Sequence, residues 1–311
     1  MFNKFPFLVT FLLVFLVGCS IEEANLSDKN ELIIASDFLK SKDTTLFKNF
    51  SKTNNIRIKI KFLSADSIQK RLRKDGFNSN FDLVFVKSLQ SVKSLKTITF
   101  HHLSRNMITT SLFNFRAFQN NSWFAVGVDP YVFSAVPDTL EIPTSYRDLT
   151  QQFNYSCFNP SENAVLLAYV KHLTKKKPSY YSSWKKSFEG NYVPFNAGTD
   201  SLPSKQFLLL KWSHYLDNPI LKKNKKRTIN YTLNNSSLYA DRKCVAVVLQ
   251  AKNFKNASLF LSFLNSKNKS FFFYEKMGAI PILPKNESYK YDKIQGMTIL
   301  LVNEDSLLMN L

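Results

Sequence analysis

Residues 31–95 alternate short apolar runs with helical patterns, and this alternation restricts the fold more than any other feature of the sequence. Apolar runs at 31–35, 56–62 and 82–86 predict strands, and the second alternates strictly between apolar and basic residues. Each run is followed by apolar residues at helical intervals, which predicts a helix. The repeated order of strand and helix predicts an α/β fold with a parallel sheet and right-handed crossovers.

Polar residues follow the first and third of these predicted strands. Ser36 and Asp37 come directly after the first strand, and Lys87 and Ser88 come directly after the third. Ligands of open parallel sheets bind beyond the carboxyl ends of the strands. The sequence therefore predicts a binding site at this edge of the sheet, lined by these four residues.

The rest of the chain has the same mixed character. Five further apolar runs predict strands, at 123–128, 131–136, 155–158, 207–212 and 244–249. The first two of these runs lie on either side of Asp129 and Pro130, and helices are predicted after Ser161 and over 256–264. A chain of 311 residues is long enough for two lobes.

The charge balance is strongly basic, with 42 Lys and Arg against 23 Asp and Glu and a net charge of +19. Such a charge suits nucleic acid, an anionic membrane or an anionic ligand. The basic residues are scattered, apart from a run at 222–227, so we interpret them mainly as solvated surface and expect no nucleic-acid partner. Only 7 glycines are present, and no glycine-rich phosphate loop occurs.

The sequence contains no recognisable catalytic constellation. Its 4 histidines lie in no known catalytic context, and no Gly-x-Ser-x-Gly elbow occurs. Cysteines and histidines do not cluster with the spacing of a metal site. We therefore predict no catalytic residues, no metal site and no cofactor. An exported hydrolase is the alternative enzyme hypothesis.

The amino terminus predicts export and lipid anchoring. Residues 1–18 combine an early lysine with an apolar stretch that is too short to span a bilayer comfortably. The stretch ends in Gly18 and Cys19, which resembles a bacterial lipobox, so Cys19 is the expected lipidation site and 19–30 a polar tether. This places the protein in the cell envelope, facing the periplasm or the exterior. Cys157 and Cys244 are expected to be buried, and pairing between them stays open.

Several segments resemble a known family. They are LFKNFSKTNNIRIKI, LRKDGFNSNFDLVFVKSLQSVKSL, WFAVGVDPYVFSAV, IPTSYRDL and AVVLQAKNFKNASLFLSFLNSKNKSFFFYEKMGAIPI. In this order they resemble the type II periplasmic solute-binding proteins of ABC importers, particularly the cluster that binds ferric ion or thiamine. The last segment is the most specific, because its apolar residues and its Ile280-Pro281 follow the family's spacing.

This resemblance implies a two-lobed fold, with a mixed, mostly parallel sheet flanked by helices in each lobe and a ligand cleft between the lobes. It implies lobe one at 31–121 and 232–284, lobe two at 122–231 and a tail at 285–311. The implied function is capture of a small solute and its delivery to a permease and an ATPase, by a monomer that is not an enzyme. A surface lipoprotein without a transport role is a further alternative.

The resemblance leaves the ligand open among iron(III), thiamine and an anionic or phosphorylated compound. The family's ferric-binding His and Glu correspond to about Leu39 and to Lys87, and its tyrosine pair to a stretch that ends at Tyr215. The aromatic rings of Tyr215 and Tyr239 could stack against thiamine, which is cationic and aromatic. Ser161, at the start of a predicted helix, could instead bind an anionic group. The complete expected contact set is Ser36, Asp37, Lys87, Ser88, Ser161, Asn196, Tyr215 and Tyr239.

Overall fold

The strand and helix alternation predicted for residues 31–95 is present in the structure, which is a computed structural model. The model describes residues 30–103, 122–135, 155–157, 163–190, 207–211, 228–230, 237–238, 240–264 and 298–299. Strands are β1 Glu31–Ser36, β2 Arg57–Phe62, β3 Leu83–Val86, β4 Trp123–Ala135, β5 Tyr155–Cys157, β6 Phe207–Lys211, β7 Thr228–Asn230, β8 Ser237–Leu238, β9 Ala240–Val247 and β10 Thr298–Ile299. Helices are α1 Lys48–Asn54, α2 Ala65–Asp75, α3 Leu89–Ser94, α4 Asn163–Leu173, α5 Pro178–Gly190 and α6 Phe254–Leu264, with 3-10 turns at Ser41–Phe47 and Gly76–Asn78.

Local sequence signals set the boundaries of α2. The Ser64 hydroxyl accepts a hydrogen bond from the Ser67 amide and caps the helix start. Gly76 follows the last residue with a φ of 50°, a conformation that glycine adopts without steric cost. Ile68 and Leu72 are the buried residues of the helix, so the spacing of apolar residues also fixes which face packs on the sheet.

The sheet order is β2-β1-β3-β9-β4-β6-β5, with β7 paired to β4 beside this path. β1 pairs in parallel with both β2 and β3, which confirms the parallel sheet predicted for the amino-terminal part. β9 pairs antiparallel with β3 and β4. Beyond β4, β6 is antiparallel to it and parallel to β5. The sheet is therefore mixed, with parallel strands at both ends of the path.

β4 connects the two ends of this path. Residues Trp123 to Pro130 pair with β9, and residues Tyr131 to Ser134 pair with β6. The prediction of two separate strands around Asp129 and Pro130 was therefore wrong. Pro130 has no amide to donate, and it lies where the strand exchanges one partner for the next, so the strand continues through it.

Two apolar clusters cover the two faces of the sheet. One contains buried residues of α2, α3, α4 and α5, including Trp184 and Phe188, whose rings stack at 4.9 Å. The other contains residues of α1 and α6, and Phe260 at its centre contacts the rings of Phe50 and Phe85 at 5.0 and 6.2 Å. Burial of each such ring stabilises the fold by about 1.5–3 kcal/mol. The helices are thus held against the strands whose ends form the predicted site.

A buried carboxylate joins three elements at the start of β3. Asp82 is 2% exposed, and its Oδ2 accepts from the Ile33 amide at 2.8 Å. The Asn253 amide donates to Oδ1 at 2.9 Å, and the Asn253 side chain donates to Oδ2 at 3.1 Å. Asp82 therefore ties β1 and the start of α6 to the edge of β3.

β9 begins earlier than predicted. The apolar run suggested a strand from Cys244, whereas the strand begins at Ala240 and includes Asp241, Arg242 and Lys243, all of which are buried. Cys244 is buried, as expected, and the Cys157 side chain lies outside the described residues. Among the helices that the structure describes, none has the length and apolar character needed to cross a bilayer.

Candidate functional site

The carboxyl ends of β1, β2 and β3 lie at one edge of the sheet, which we call the carboxyl edge. The first residues of β9 lie there too, because β9 is antiparallel to β3 and Cys244 is opposite Val86. β4 leaves the same region toward β6, since Asp129 is opposite Asp241 of β9. The carboxyl edge is therefore where the parallel strands meet the two strands that lead to the other end of the sheet.

Ser36 and Ser88 are used by the protein itself. Ser36 is 1% exposed, and its hydroxyl accepts from the amides of Phe38 and Leu39 at 3.3 and 3.0 Å. Ser88 caps α3 and accepts from the Ser91 amide at 3.1 Å. Both residues lie at the predicted edge, and both hydroxyls stabilise the turns that follow their strands.

Asp37 fastens the end of β1 to the loop after β3. Its Oδ1 accepts from the Lys87 amide at 2.7 Å, and its Oδ2 accepts from the Ser91 hydroxyl at 2.7 Å. Burial raises the pKa of the Asp37 carboxyl above its ordinary value, while these hydrogen bonds and the charges of Lys87 and Lys243 oppose the shift. Burial is the largest of these effects, so the ionised form carries a desolvation cost in the folded state.

A second carboxylate holds the same loop from the other side. Asp241 is fully buried, and its Oδ1 accepts from the Leu89 amide at 2.9 Å and from the Arg242 amide at 2.8 Å. The loop from Lys87 to Leu89 is thus fixed between Asp37, which follows β1, and Asp241 of β9. Of the four residues predicted at this edge, Lys87 is the one with an exposed side chain.

A buried ion pair links β4 and β9 next to this loop. Lys243 Nζ lies 3.5 Å from Asp129 Oδ2, and the two side chains are 6% and 2% exposed. The same ammonium group lies 5.2 Å from the centroid of the Phe38 ring. The ion pair therefore joins the two connecting strands to each other and to the turn after β1.

Asp241, Lys243 and Asp129 were not predicted from the sequence as site residues. Asp241-Arg242-Lys243 resembles a solvated turn, because three charged residues precede an apolar run. A signal was nevertheless present: Asp129 follows an apolar run in the same way and supplies an opposite charge for Lys243. Charges at the ends of two apolar runs indicate a cross-strand pair when those runs are neighbours.

The other predicted site residues lie outside the described residues. They are Ser161, Asn196, Tyr215, Tyr239 and the lipidation site Cys19. Leu39, which the sequence resemblance places at about the position of a ferric-binding histidine, is 4% exposed and belongs to the apolar cluster that contains residues of α1 and α6. In the described part of the chain, no group of three or more His, Cys, Asp or Glu side chains is placed to hold a metal ion.

Replacing Asp37 by asparagine is expected to remove a pH-dependent part of the stability. Because the folded carboxyl has the raised pKa, it binds its proton more tightly than the unfolded chain does. The parent's free energy of unfolding, measured relative to Asp37→Asn, should therefore fall as the pH rises from the unfolded pKa through the folded one. Urea unfolding at successive pH values measures this difference.

The exposed Asp66 provides the control for this experiment. Asp66→Asn lies on α2 and leaves the contacts of Asp37 intact. The difference in free energy of unfolding between Asp66→Asn and the parent should not show the pH dependence expected for Asp37→Asn. If the parent instead becomes more stable relative to Asp37→Asn as the pH rises, the hydrogen bonds and positive charges around the carboxyl outweigh the effect of its burial.

Known structures match the fold over most of the chain. A Trichodesmium IdiA or FutA protein, solved in complex with iron and citrate ligands, aligns with a TM-score of 0.76 at 15% identity and covers 90% of this chain and 95% of its own. The apo ferric ion-binding protein A of Pasteurella haemolytica gives 0.75 at 16% identity, covering 90% and 94%. An ABC transporter protein from Clostridium perfringens gives 0.66 at 15% identity, covering 90% and 98%.

No protein-family model and no curated protein sequence matches the chain. The likeness to these solved structures lies in the three-dimensional arrangement of strands and helices. The mixed sheet and the alignment over 90% of the chain confirm the predicted α/β fold. The chain therefore shares the overall fold of these solved ferric-ion-binding proteins, which is the mixed α/β fold expected from the sequence.

Proposed function

We propose that this protein is the solute-binding component of an ABC importer and that its ligand occupies the gap between two lobes at the carboxyl edge. The fold carries this proposal, because its solved neighbours include a ferric ion-binding protein, a protein in complex with iron and citrate ligands, and an ABC transporter protein. The rigid loop from Lys87 to Leu89 supports it, since two carboxylates hold this loop at the expected ligand edge. A binding surface whose backbone is already fixed loses little entropy when ligand binds.

The proposal includes the remaining features expected from the sequence. Lipid on Cys19 would anchor the protein in the cell envelope, and a permease with its ATPase would receive the ligand. Lobe boundaries near residues 122 and 232 would place β4 and β9 between the lobes. Closure of the lobes around ligand would then bend these two strands.

Lys87 favours an anionic, oxygen-rich ligand, and we propose chelated iron(III), with citrate as the model chelator. The exposed ammonium group of Lys87 stands where the family's ferric-binding members have a glutamate. A cation at this position repels bare Fe3+ and attracts carboxylate oxygen. One solved neighbour of this fold is in complex with iron and citrate ligands, which supports this choice of probe.

Thermal unfolding with a ligand panel tests this proposal. The full-length protein is heated with ferric citrate, with citrate alone, with ferric nitrilotriacetate and with thiamine. Ferric citrate at a hundred times its Kd should stabilise the folded state by about 2.7 kcal/mol through mass action. Native mass spectrometry of the same preparation should detect the complex. Stabilisation by thiamine alone would contradict the iron assignment, and stabilisation by none of a wider solute panel would contradict the binding function.

Lys87→Glu tests the role assigned to the exposed lysine. The substitution replaces attraction of a bound carboxylate by repulsion, so affinity for ferric citrate should fall on the order of tenfold or more. Lys96→Glu is the matched control, because Lys96 is an exposed lysine beyond the other end of α3. Isothermal titration compares the two variants, and equal loss of affinity in both would show that only net charge matters.

A further inference from the structure

The opposite edge of the amino-terminal sheet carries a second distinctive surface, the amino-edge face. It consists of the loops that precede β2 and β3, the loop after β9 and the start of α6. Hydrogen bonds join these loops, from Lys252 to Asn80 at 3.1 Å and from Asn30 to the Asn55 carbonyl at 2.5 Å. The Asn256 side chain donates to Asn30 at 3.1 Å. The loops thus form one continuous surface.

Exposed apolar side chains lie on the amino-edge face. Phe77 is 85% exposed, while Leu249 and Phe254 are 38% and 37% exposed. Phe77 precedes β3, and Leu249 and Phe254 follow β9, so all three lie at the same end of the sheet. A large ring with most of its surface in water is unfavourable unless a partner covers it.

Basic side chains lie on the same face as these apolar groups. Five exposed ones belong to the loops and helix ends of this face: Lys52, Arg57, Lys74, Lys252 and Lys255. The acidic residues described here do not balance them. Asp82 is buried, Asp75 is half-buried, and Glu31 forms an ion pair with Lys59 at 2.6 Å. The face therefore combines net positive charge with exposed apolar groups.

The position of Asn30 brings this face close to the amino-terminal segment. Asn30 precedes β1 and is held on the face through Asn55 and Asn256. The residues between 19 and 30 span at most about 40 Å when fully extended. A segment that holds residue 19 at a membrane therefore keeps the amino-edge face within that distance of the bilayer.

We propose that the amino-edge face docks on the surface of an anionic lipid bilayer. Its basic side chains attract acidic headgroups, and Phe77 enters the interfacial region, where aromatic rings are stabilised. Charge complementarity and the nearby amino-terminal segment both favour a lipid surface over a protein partner. The docked protein keeps its carboxyl edge directed away from the bilayer, because the two edges lie at opposite ends of the strands.

A fluorescent label at position 77 tests the proposal on the full-length chain. Phe77→Cys carries an environment-sensitive dye, and the protein is incorporated through its amino-terminal segment into vesicles of neutral phosphatidylcholine or of phosphatidylcholine with phosphatidylglycerol. Quenching by doxyl-labelled lipid should occur in the anionic vesicles alone and should disappear at about 0.5 M salt, which screens charges within a few ångströms. The parent chain, treated with the same dye, gives the background.

Phe62→Cys provides the matched control. Phe62 is 46% exposed and ends β2 at the carboxyl edge, so its label should remain unquenched in both vesicles. Equal quenching at positions 62 and 77 would show non-specific adsorption of a basic protein and would overturn the proposal. Absence of quenching at position 77 would also overturn it. If the dye responds to protein concentration in the absence of vesicles, the face binds a second copy of the chain, and docking on lipid is contradicted.

Charge removal provides an independent measurement. Lys252→Ala and Lys255→Ala should each weaken docking on the order of fivefold, because each basic group near an anionic surface contributes about that factor. Lys61→Ala at the carboxyl edge removes the same charge and should leave quenching unchanged. Equal effects of all three substitutions would contradict docking through the amino-edge face.

Discussion

Replacement of Asp82 by alanine is expected to lower the free energy of unfolding by about 3–5 kcal/mol. The carboxylate is buried and accepts hydrogen bonds from the Ile33 amide, the Asn253 amide and the Asn253 side chain. Alanine leaves these part-buried donors without their acceptor, and each then carries a desolvation cost. Urea unfolding followed by far-ultraviolet circular dichroism measures the change.

Asp66→Ala is the control, because it removes a carboxylate that does not hold β1, β3 and α6 together. Asp66 is exposed in the first turn of α2, where its interaction with the helix dipole contributes about 0.3–1 kcal/mol. A loss at Asp82 no larger than the loss at Asp66 would contradict the role of Asp82 as the tie between β1, β3 and α6.

Replacement of Lys243 by methionine is expected to cost about 3–5 kcal/mol of stability, because it removes the ammonium group that compensates a buried carboxylate. Asp129 lies 3.5 Å from that group and is 2% exposed at the side chain. Methionine keeps most of the apolar length of lysine, so lost packing contributes little. Chemical denaturation of the two proteins gives the difference.

The double substitution Lys243→Met with Asp129→Leu identifies the source of that loss. Removal of both charges should recover much of the stability, since an apolar pair avoids the desolvation cost of both groups. The coupling energy from the full mutant cycle should then be 0.5 kcal/mol or more, roughly the threshold for residues in contact. Strictly additive effects would show that the two residues do not act as a pair.

Much of the amino-terminal half could be predicted from sequence because its signals are local. The apolar run of β3 is buried throughout, and the alternating run of β2 forms an edge strand of the sheet. Ser64 and Gly76 mark the two ends of α2. Each of these features depends on residues close in the chain, so periodicity and capping rules identify it.

The middle of the sheet could not be predicted in the same way, because its strands are defined by distant partners. Pro130 interrupts the apolar pattern of β4, yet the strand continues because new partners take over beyond it. In the sequence, Asp241 and Lys243 resemble loop residues. In the structure, Lys243 pairs with Asp129, and Asp241 accepts from the amide of Leu89, the first residue of α3. Tertiary pairing thus overrides a local pattern that indicates a turn.

The site shows a further limit of sequence reasoning. Ser36 and Ser88 are correctly placed at the carboxyl edge, but their hydroxyls accept backbone hydrogen bonds of their own turns. A serine at the end of a strand has the same sequence signal whether it contacts ligand or caps a helix. Asp37 and Lys87 differ because one is enclosed by donors and the other is exposed.

The position of Asn30, directly before β1, has a consequence for the proposed importer role. β1 is about 20 Å long at the usual rise per residue, whereas the segment from 19 to 30 reaches about 40 Å. If lipid on Cys19 anchors the chain as proposed, a tether longer than the strand lets the folded body reverse its orientation while it stays attached. Under the proposed importer role, the protein would then bind solute with its carboxyl edge facing away from the membrane and would present that edge to a permease after reorienting.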